Sequence, residues 1–127
     1  MPRRGVPSAA SLQRWALGFP GITLRIVGED EGRRLNRKFR GKDKATNVLS
    51  FPYGAGLGDV VLCHPVIARE ARSQGKSLRA HYAHLVVHGL LHLRGLDHQG
   101  KRQAARMERK EILMLRRLGF GNPYAVK

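Results

Sequence analysis

The chain has 127 residues, 42% of them hydrophobic, which is enough for one hydrophobic core without cross-links and leaves no room for a second domain. It carries 24 Lys and Arg against 9 Asp and Glu, and the formal net charge of +15 favours a polyanion, first of all nucleic acid, as its partner. There is no apolar run of about 18 or more residues and no secretion signal, so we expect a cytoplasmic protein that makes no contact with a membrane.

Periodicity and turn residues predict five helices and three strands in a single domain, residues 1–127. Strands are indicated where apolar and polar residues alternate or form short runs, and helices where apolar residues recur every three to four positions. In chain order, the predicted elements are a helix from Ser8 or Ser11 to Leu17, a strand over 22–27, a helix over 29–39, a loop over 40–44, a hairpin of strands 47–51 and 59–63 around the turn 52–58, a helix from Pro65 to Ser73, a long helix from Ser77 that carries His81, His84, His88 and His92, and a helix from Lys101 to Leu118.

Three histidines on and just after the long helix form the most informative motif. His88 and His92 are four residues apart, so on a helix both imidazoles point from nearly the same face. Gly95 is expected to end the helix, because a residue without Cβ adopts the left-handed conformation of a helix C-terminus, and the chain can then return His98 as a third nitrogen ligand. Three protein ligands leave one open position, as in a catalytic zinc site.

The spacing H-x-x-x-H-x-x-G-x-x-H is that of the metzincin ligands, with one difference. Metzincins have Glu directly after the first histidine, as the general base for peptide hydrolysis, and this chain has Gly89 there. Two histidines four apart also occur by chance on helix surfaces, but the third histidine and the turn glycine favour a bound metal. The sequence therefore retains the ligand set and lacks the protease base.

Basic residues are concentrated in two segments. Residues 33–44 contain seven Lys and Arg against Asp43 alone, and residues 101–117 contain seven against Glu108 and Glu111. Such clustering favours binding to a polyanion over a merely solvated surface. Because only 6% of the residues are aromatic, contacts to the phosphate backbone are favoured over a base-stacking platform.

Other polar side chains near the motif are expected to play supporting roles. His81 and His84 border the metal side of the long helix, as packing residues or as hydrogen-bond partners. Asp97 either orients a ligand, acts on water or stabilises a turn. Cys63, the only cysteine, is interpreted as a buried strand residue rather than a nucleophile or a fourth ligand.

Four segments of the chain carry a family resemblance: HLVVHGLLHLRGLDH at 84–98, RGKDKATNVLSFP at 40–52, LGDVVLC at 57–63 and GFGNPY at 119–124. They resemble the YbeY family of metal-dependent endoribonucleases, and together they cover roughly residues 35–124. The histidine motif and TNVLSFP are highly specific in combination. The chain departs from the family pattern at Ala45, where Pro is common, and at Leu96, where an aromatic residue is common. Its N-terminal region and its turn at 52–57 are also shorter, and none of these departures is at a predicted ligand.

This resemblance implies an α/β (α+β) fold in which a small mixed sheet of three to four strands packs with about five helices, with the metal site at the end of the long central helix. It implies one Zn²⁺ per chain held by His88, His92 and His98, and hydrolysis of single-stranded RNA. It further implies roles in maturing the 3′ end of small-subunit (16S) ribosomal RNA and in ribosome quality control, with ribosomal RNA and the ribosome or its small subunit as partners. Arg40 matches the family's functional arginine and is expected to hold phosphoryl oxygens, with Lys42 and Lys44 at most positioning phosphates.

Two other functions remain open from the sequence. A metalloprotease would cleave unstructured protein with a nearby Glu as base, and both Gly89 and the charge of +15 oppose it. A non-catalytic RNA-binding or ribosome-associated factor would use its zinc only for structure and would bind RNA without turnover.

Overall fold

The computed structural model describes residues 5–16, 18–96 and 99–125, and within them the chain forms five helices and three strands. The α+β class, the small mixed sheet and the five helices predicted from the sequence are confirmed. In chain order the elements are α1 (Ala9–Trp15), β1 (Ile22–Val27), α2 (Glu29–Arg40), β2 (Val48–Gly54), β3 (Leu57–Cys63), α3 (His64–Gln74), α4 (Leu78–Leu93) and α5 (Lys101–Arg117).

The three strands form one mixed sheet with the order β1-β3-β2. β1 pairs in parallel with β3, and β2 pairs antiparallel with β3 as the predicted hairpin. The turn between β2 and β3 is tight, because Gly54, Ala55 and Gly56 all have positive φ angles. Because β3 lies in the middle of the strand order, β2 is an edge strand of the described sheet.

Side chains of the central strand β3 alternate between two cores. Val60 and Leu62 belong to the larger core, which also includes Trp15 and most of the buried residues of α4. Val61 and Cys63 belong to a smaller core that the α2 helix covers. Because successive residues of a strand point to opposite faces, α4 and α2 pack on opposite faces of the sheet.

The long helix α4 is the central element of the fold. It contacts α1, α3, α5, β2 and β3, and ten of its 16 residues are buried. Its start is defined by Ser77, whose side chain accepts a hydrogen bond of 3.1 Å from the backbone N–H of Ala80. None of the described helices is both long and apolar enough to cross a lipid bilayer.

The ends of several elements differ by one to three residues from those indicated by the sequence, and two of these differences have a clear cause. Pro52, assigned to a turn, lies within β2 opposite Gly58, and the register shifts between Pro52 and Gly54. An edge strand with an irregular register tolerates Pro, because the missing N–H leaves no ladder bond broken. Arg40, assigned to a loop, is the last residue of α2, which Gly41 ends with a φ of 69°. Leu17, the predicted end of the first helix, lies outside the described residues.

Candidate metal centre

The last two turns of α4 carry His88 and His92 on one face of the helix. Their Nε2 atoms lie 3.1 Å apart, and both side chains are partly exposed. Zinc–imidazole bonds of about 2.0–2.1 Å at a tetrahedral centre would place two such atoms about 3.3 Å apart. The spacing and the chemistry of this pair therefore fit two ligands of one divalent ion.

The helix reverses direction immediately after the second histidine. Arg94 is the C-terminal cap of α4, and Gly95 follows with a φ of 89°. The backbone N–H of Leu96 donates to the carbonyl oxygen of Leu91 at 3.1 Å, which closes the turn. The helix end predicted at Gly95 is thus confirmed, and its left-handed conformation explains why a glycine is needed there.

The third predicted ligand, His98, and its neighbour Asp97 lie outside the described residues. In the part of the chain that the structure describes, no three His, Cys, Asp or Glu side chains are grouped as a metal site. The structure brings His88 and His92 together, and the complete ligand set stays a prediction.

A buried carboxylate from α5 contacts the Nδ1 edge of the His88 ring. Glu111 is 0% exposed, and its Oε2 atom lies 2.6 Å from Nδ1 of His88. Its Oε1 atom accepts a hydrogen bond from the hydroxyl of Tyr124 and lies 3.5 Å from Nε2 of His84. A carboxylate at Nδ1 fixes the orientation of the ring and keeps the proton on that nitrogen, so that Nε2 is directed towards His92.

Two opposing effects determine the charge of Glu111. Burial raises the pKa of its carboxyl group, but hydrogen bonds from His84, His88 and Tyr124 outweigh burial and lower the pKa to about 2. Burial and the neighbouring carboxylate both raise the pKa of Tyr124, so its hydroxyl stays protonated as a donor. Glu111 is therefore an ionised, buried acceptor at neutral pH.

The buried histidine of α4, His81, belongs to a separate network. Nε2 of His81 lies 3.0 Å from Oε1 of Glu70 in α3, and the side-chain amide of Asn47 donates to the same oxygen at 3.0 Å. Burial lowers the pKa of His81. These contacts join α3 and α4 to the segment before β2. Glu111, His84, His88 and Tyr124 form what we call the Glu111 cluster. Of the two supporting histidines expected from the sequence, His84 therefore belongs to this cluster, and His81 contacts Glu70.

Gly89, the residue that replaces the metzincin glutamate, lies directly against the sheet. A Cβ atom at this position would lie 2.7 Å from Cγ1 of Val60 and 3.2 Å from Oγ of Ser50. The hydroxyl of Ser50 also donates to the carbonyl oxygen of Gly89 at 3.3 Å. Close packing of α4 on the sheet therefore requires glycine here and leaves no space for a glutamate side chain.

Arg40 lies at the end of α2 with an exposed side chain, on the opposite face of the sheet from α4. Its neighbour Phe39 packs edge-on against Phe51 of the edge strand β2, with ring centroids 5.1 Å apart. The preceding residue of that strand, Ser50, contacts Gly89 from the other face. The edge strand β2 thus contacts α2 beside Arg40 on one face and α4 on the other, and a direct role for Arg40 at the metal stays a prediction.

Hydrogen bonds hold the loop after Arg40 against α2. The side-chain amide of Asn36 donates to the carbonyl oxygen of Lys44 at 2.7 Å, and Arg33 donates to both oxygens of Asp43 at 2.8 and 2.9 Å. The hydrogen bond from Arg33 lowers the pKa of Asp43. Lys42 and Lys44 remain exposed beside this ordered loop, where a phosphate backbone could reach them.

Sequence reasoning missed Glu111 and Tyr124 as site residues. In the sequence alone, Glu111 is only a negative charge within a basic segment, and Tyr124 is only part of the GFGNPY ending. A usable signal was nevertheless present: the buried residues of α5 are Met107, Glu111 and Leu115, four positions apart. A carboxylate within the apolar stripe of a helix requires a buried hydrogen-bond partner, and histidines are candidates for that role.

Comparisons with known proteins agree on one family. A family model described as Endoribonuclease YbeY matches residues 7–119. Proteins named Endoribonuclease YbeY from Aromatoleum aromaticum and Methylibium petroleiphilum are both 56% identical to this chain, over 126 and 119 residues. The alignments cover 94% and 88% of this chain and 82% and 80% of those proteins. The solution structure of TM1509 from Thermotoga maritima is similar in fold, with 26% identity, a TM-score of 0.54, and coverage of 92% of this chain and 88% of that one.

Proposed function

The chain belongs to the YbeY family, and we propose that it is a metal-dependent endoribonuclease that cuts single-stranded RNA. The observation that carries the proposal is the pair of imidazoles on α4, whose Nε2 atoms lie 3.1 Å apart, with the buried carboxylate of Glu111 2.6 Å from the Nδ1 atom of His88. The names of the relatives support an RNA substrate, and so does a net charge of +15.

The proposed ligands are His88, His92 and His98, and zinc is our proposed ion among those that imidazoles suit, which also include nickel, copper and iron. When bound, zinc would supply Lewis acidity that lowers the pKa of a coordinated water molecule to about 7, and so would provide a nucleophile at neutral pH without a glutamate base. This explains how a chain with Gly89 in place of the protease glutamate can still be a hydrolase.

Residues of the chain itself have two further tasks in the proposed reaction. Glu111 keeps the proton of His88 on Nδ1 and restrains the ring, so that the ligand nitrogen is in place before substrate arrives. Cleavage of a phosphodiester adds negative charge to the phosphoryl oxygens, and the planar guanidinium of Arg40 stabilises that charge through paired hydrogen bonds.

The proposed cellular substrate is the precursor of small-subunit ribosomal RNA, in 3′-end maturation and in ribosome quality control. The ribosome or its small subunit is then the partner, and the cytoplasm is the compartment. Depletion of the protein should lead to small subunits with 3′-extended 16S RNA, and re-expression of wild type but not of a His92→Ala variant should restore mature ends. Mature ends in depleted cells would contradict this assignment.

An assay on a labelled single-stranded RNA tests the enzymatic proposal. Wild-type protein, the same protein with a chelator, and the His92→Ala variant should be compared, with His81→Ala as a matched control that removes an imidazole from the same helix outside the Glu111 cluster. We expect cleavage by wild type and by folded His81→Ala protein, and loss of cleavage with chelator and in His92→Ala. Thermal unfolding of each variant confirms that it is folded.

The same assay separates the alternative functions. RNA binding without turnover would indicate a non-catalytic binding factor whose zinc is structural. Cleavage of an unstructured protein such as casein, with no cleavage of RNA, would indicate a protease. Persistence of RNA cleavage after chelation and in the His92→Ala variant would exclude a mechanism based on this metal site.

A further inference from the structure

A basic groove runs between the C-terminal end of α4 and one face of α5, and neither His88 nor His92 lines it. It encloses about 610 Å³ and is lined by four cations, Arg94, Arg106, Lys110 and Arg117. Among the described residues that line it there is no Asp or Glu, and none of the four cations forms an ion pair with a described carboxylate. Its floor is partly apolar. The positive charge of the groove is therefore not neutralised by any described carboxylate.

The acidic residues of α5 and the cations of the groove lie on different faces of the helix. Glu108 and Glu111 lie on the face that borders His88, whereas Arg106, Lys110 and Arg117 lie on the face that borders the groove. Positions 106, 110 and 117 are four and seven residues apart, which places them along one stripe of a helix. The groove stripe is therefore free of the two carboxylates of its own helix.

Arg94 is held in place within the groove. Its guanidinium lies over the ring of Phe19, 4.6 Å from the ring centroid, and donates to the carbonyl oxygen of Gly18 at 3.2 Å. A side chain held in this way loses little conformational freedom when it binds an anion. Nearby, Leu113 is 51% exposed and offers an apolar surface at the same groove.

The groove begins within two residues of a predicted metal ligand. Leu91 and Arg94 line it, and His92 lies between them in sequence on the neighbouring face of α4. A helix with its side chains is about 10–12 Å across, so a chain leaving the histidines needs only a few nucleotides to enter the groove.

We propose that the basic groove binds the phosphates of single-stranded RNA on one side of the cleavage position. Arg94, Arg106, Lys110 and Arg117 contact phosphates, and the apolar floor with Leu113 contacts bases without sequence preference. This inference rests on the proposed function, because it takes the substrate of the metal site as the occupant of the groove. It adds a binding site that would make long RNAs better substrates than short ones.

Two triple variants of α5 with equal charge test the groove. The groove variant is Arg106→Gln, Lys110→Gln, Arg117→Gln. The control variant is Lys101→Gln, Arg109→Gln, Arg116→Gln, which removes three positive charges from exposed positions of the same helix outside the groove lining. Because both lose the same net charge, a difference between them reports on position and not on the overall field.

Cleavage kinetics should be measured on an RNA of about 20 nucleotides and on one of about three, which is too short to span the metal site and the groove together. For the long RNA, we expect the groove variant to raise KM about tenfold or more over the control variant, with kcat changed less than about twofold. For the short RNA, the two variants should have similar KM values. Thermal unfolding should be the same for both, because all six side chains are exposed.

A binding measurement separates this inference from the proposed function. The groove and control variants, each also carrying His92→Ala, are titrated into a fluorescein-labelled RNA of about 20 nucleotides, and the fluorescence anisotropy of the RNA reports binding. The slope of log K against log salt should decrease in magnitude by about 2 in the groove variant, for three lost phosphate contacts to a single strand, and by much less in the control. Equal KM values and equal slopes in the two variants would overturn the groove as an RNA site, and an acidic protein partner would then be the alternative. Absence of metal-dependent cleavage by wild type would overturn the proposed function, while the binding measurement would still decide about the groove.

Discussion

Nδ1 of His88 lies 2.6 Å from Oε2 of Glu111, a carboxylate that solvent does not reach. The two residues come from different helices, α4 and α5, so the packing of these helices determines the orientation of the ring. An imidazole held in this way presents its other nitrogen to a metal in a single tautomer and orientation. The buried carboxylate is thus as much a part of the candidate site as the ligands.

Replacing Glu111 with Gln should weaken metal binding while leaving the predicted ligands in place. The amide has the shape of the carboxylate but no charge, so it no longer favours the protonated Nδ1 of His88, and we expect a loss of affinity of about 10–100-fold. Competition for Zn²⁺ with a chromophoric chelator measures this directly. Glu108→Gln removes the same charge one turn earlier on α5 and should change the affinity less than about threefold. Equal affinities of wild type and Glu111→Gln would show that the hydrogen bond has no role in holding the metal.

Arg40→Ala should separate metal binding from catalysis. The variant should bind one metal ion as wild type does, and its kcat should fall about 10²–10³-fold, because a guanidinium that stabilises charge in the transition state is lost. Lys42→Ala, two residues later in the exposed loop, is the matched control and should change kcat less than about threefold. An unchanged kcat in Arg40→Ala would place Arg40 outside the active site.

Much of the fold could be predicted from the sequence because it depends on local patterns. The strand at 22–27 and the ends of α4 follow from side-chain alternation, from Ser77 as a cap and from Gly95 as a turn residue. The boundary of β2 could not be predicted in the same way. Pro52 is acceptable in a strand only at an edge or an irregularity, and strand order in a sheet is a property of the whole fold.

The candidate site likewise contains residues that local spacing predicts and residues that only tertiary packing brings together. His88 and His92 could be paired from helix geometry alone, because they are four residues apart. Glu111 is 23 residues from His88 in sequence, and only the packing of α5 on α4 brings the two together. The contacts of β2 with the end of α2 and with α4 likewise join residues far apart in sequence, and no local pattern reveals them.

Gly89→Ala should destabilise the protein, although alanine is the better helix former. The new Cβ atom would lie 2.7 Å from Cγ1 of Val60, and such overpacking costs about 1–3 kcal/mol, more than the helix propensity that alanine adds. The melting temperature should fall by about 4 °C for each kcal/mol lost in a domain of this size.

A second substitution tests whether this contact is the cause. Val60→Ala removes the atom that the new Cβ would meet, so it should cost less stability in the Gly89→Ala background than in wild type. Strict additivity of the two changes, or a more stable Gly89→Ala protein, would mean that close packing does not explain the glycine.

Cys63 should be chemically inert in the folded protein. Its side chain is 1% exposed, and burial raises the pKa of its thiol, so the reactive thiolate is scarcer at pH 7–8 than in a free cysteine. A disulfide reagent such as Ellman's should label no thiol in native protein within minutes and one thiol per chain in guanidinium chloride. Cys63→Ala should retain RNA cleavage. Rapid labelling of native protein, or loss of activity with intact folding, would contradict a purely structural role.

Titration of metal-free protein with Zn²⁺, with bound metal and cleavage of single-stranded RNA measured in the same samples, tests the metal site most directly. If His88, His92 and His98 hold the catalytic ion, both quantities should rise together and saturate at one ion per chain, and His92→Ala should show neither. Full cleavage by the metal-free protein, or by His92→Ala, would contradict a hydrolase that works through these histidines.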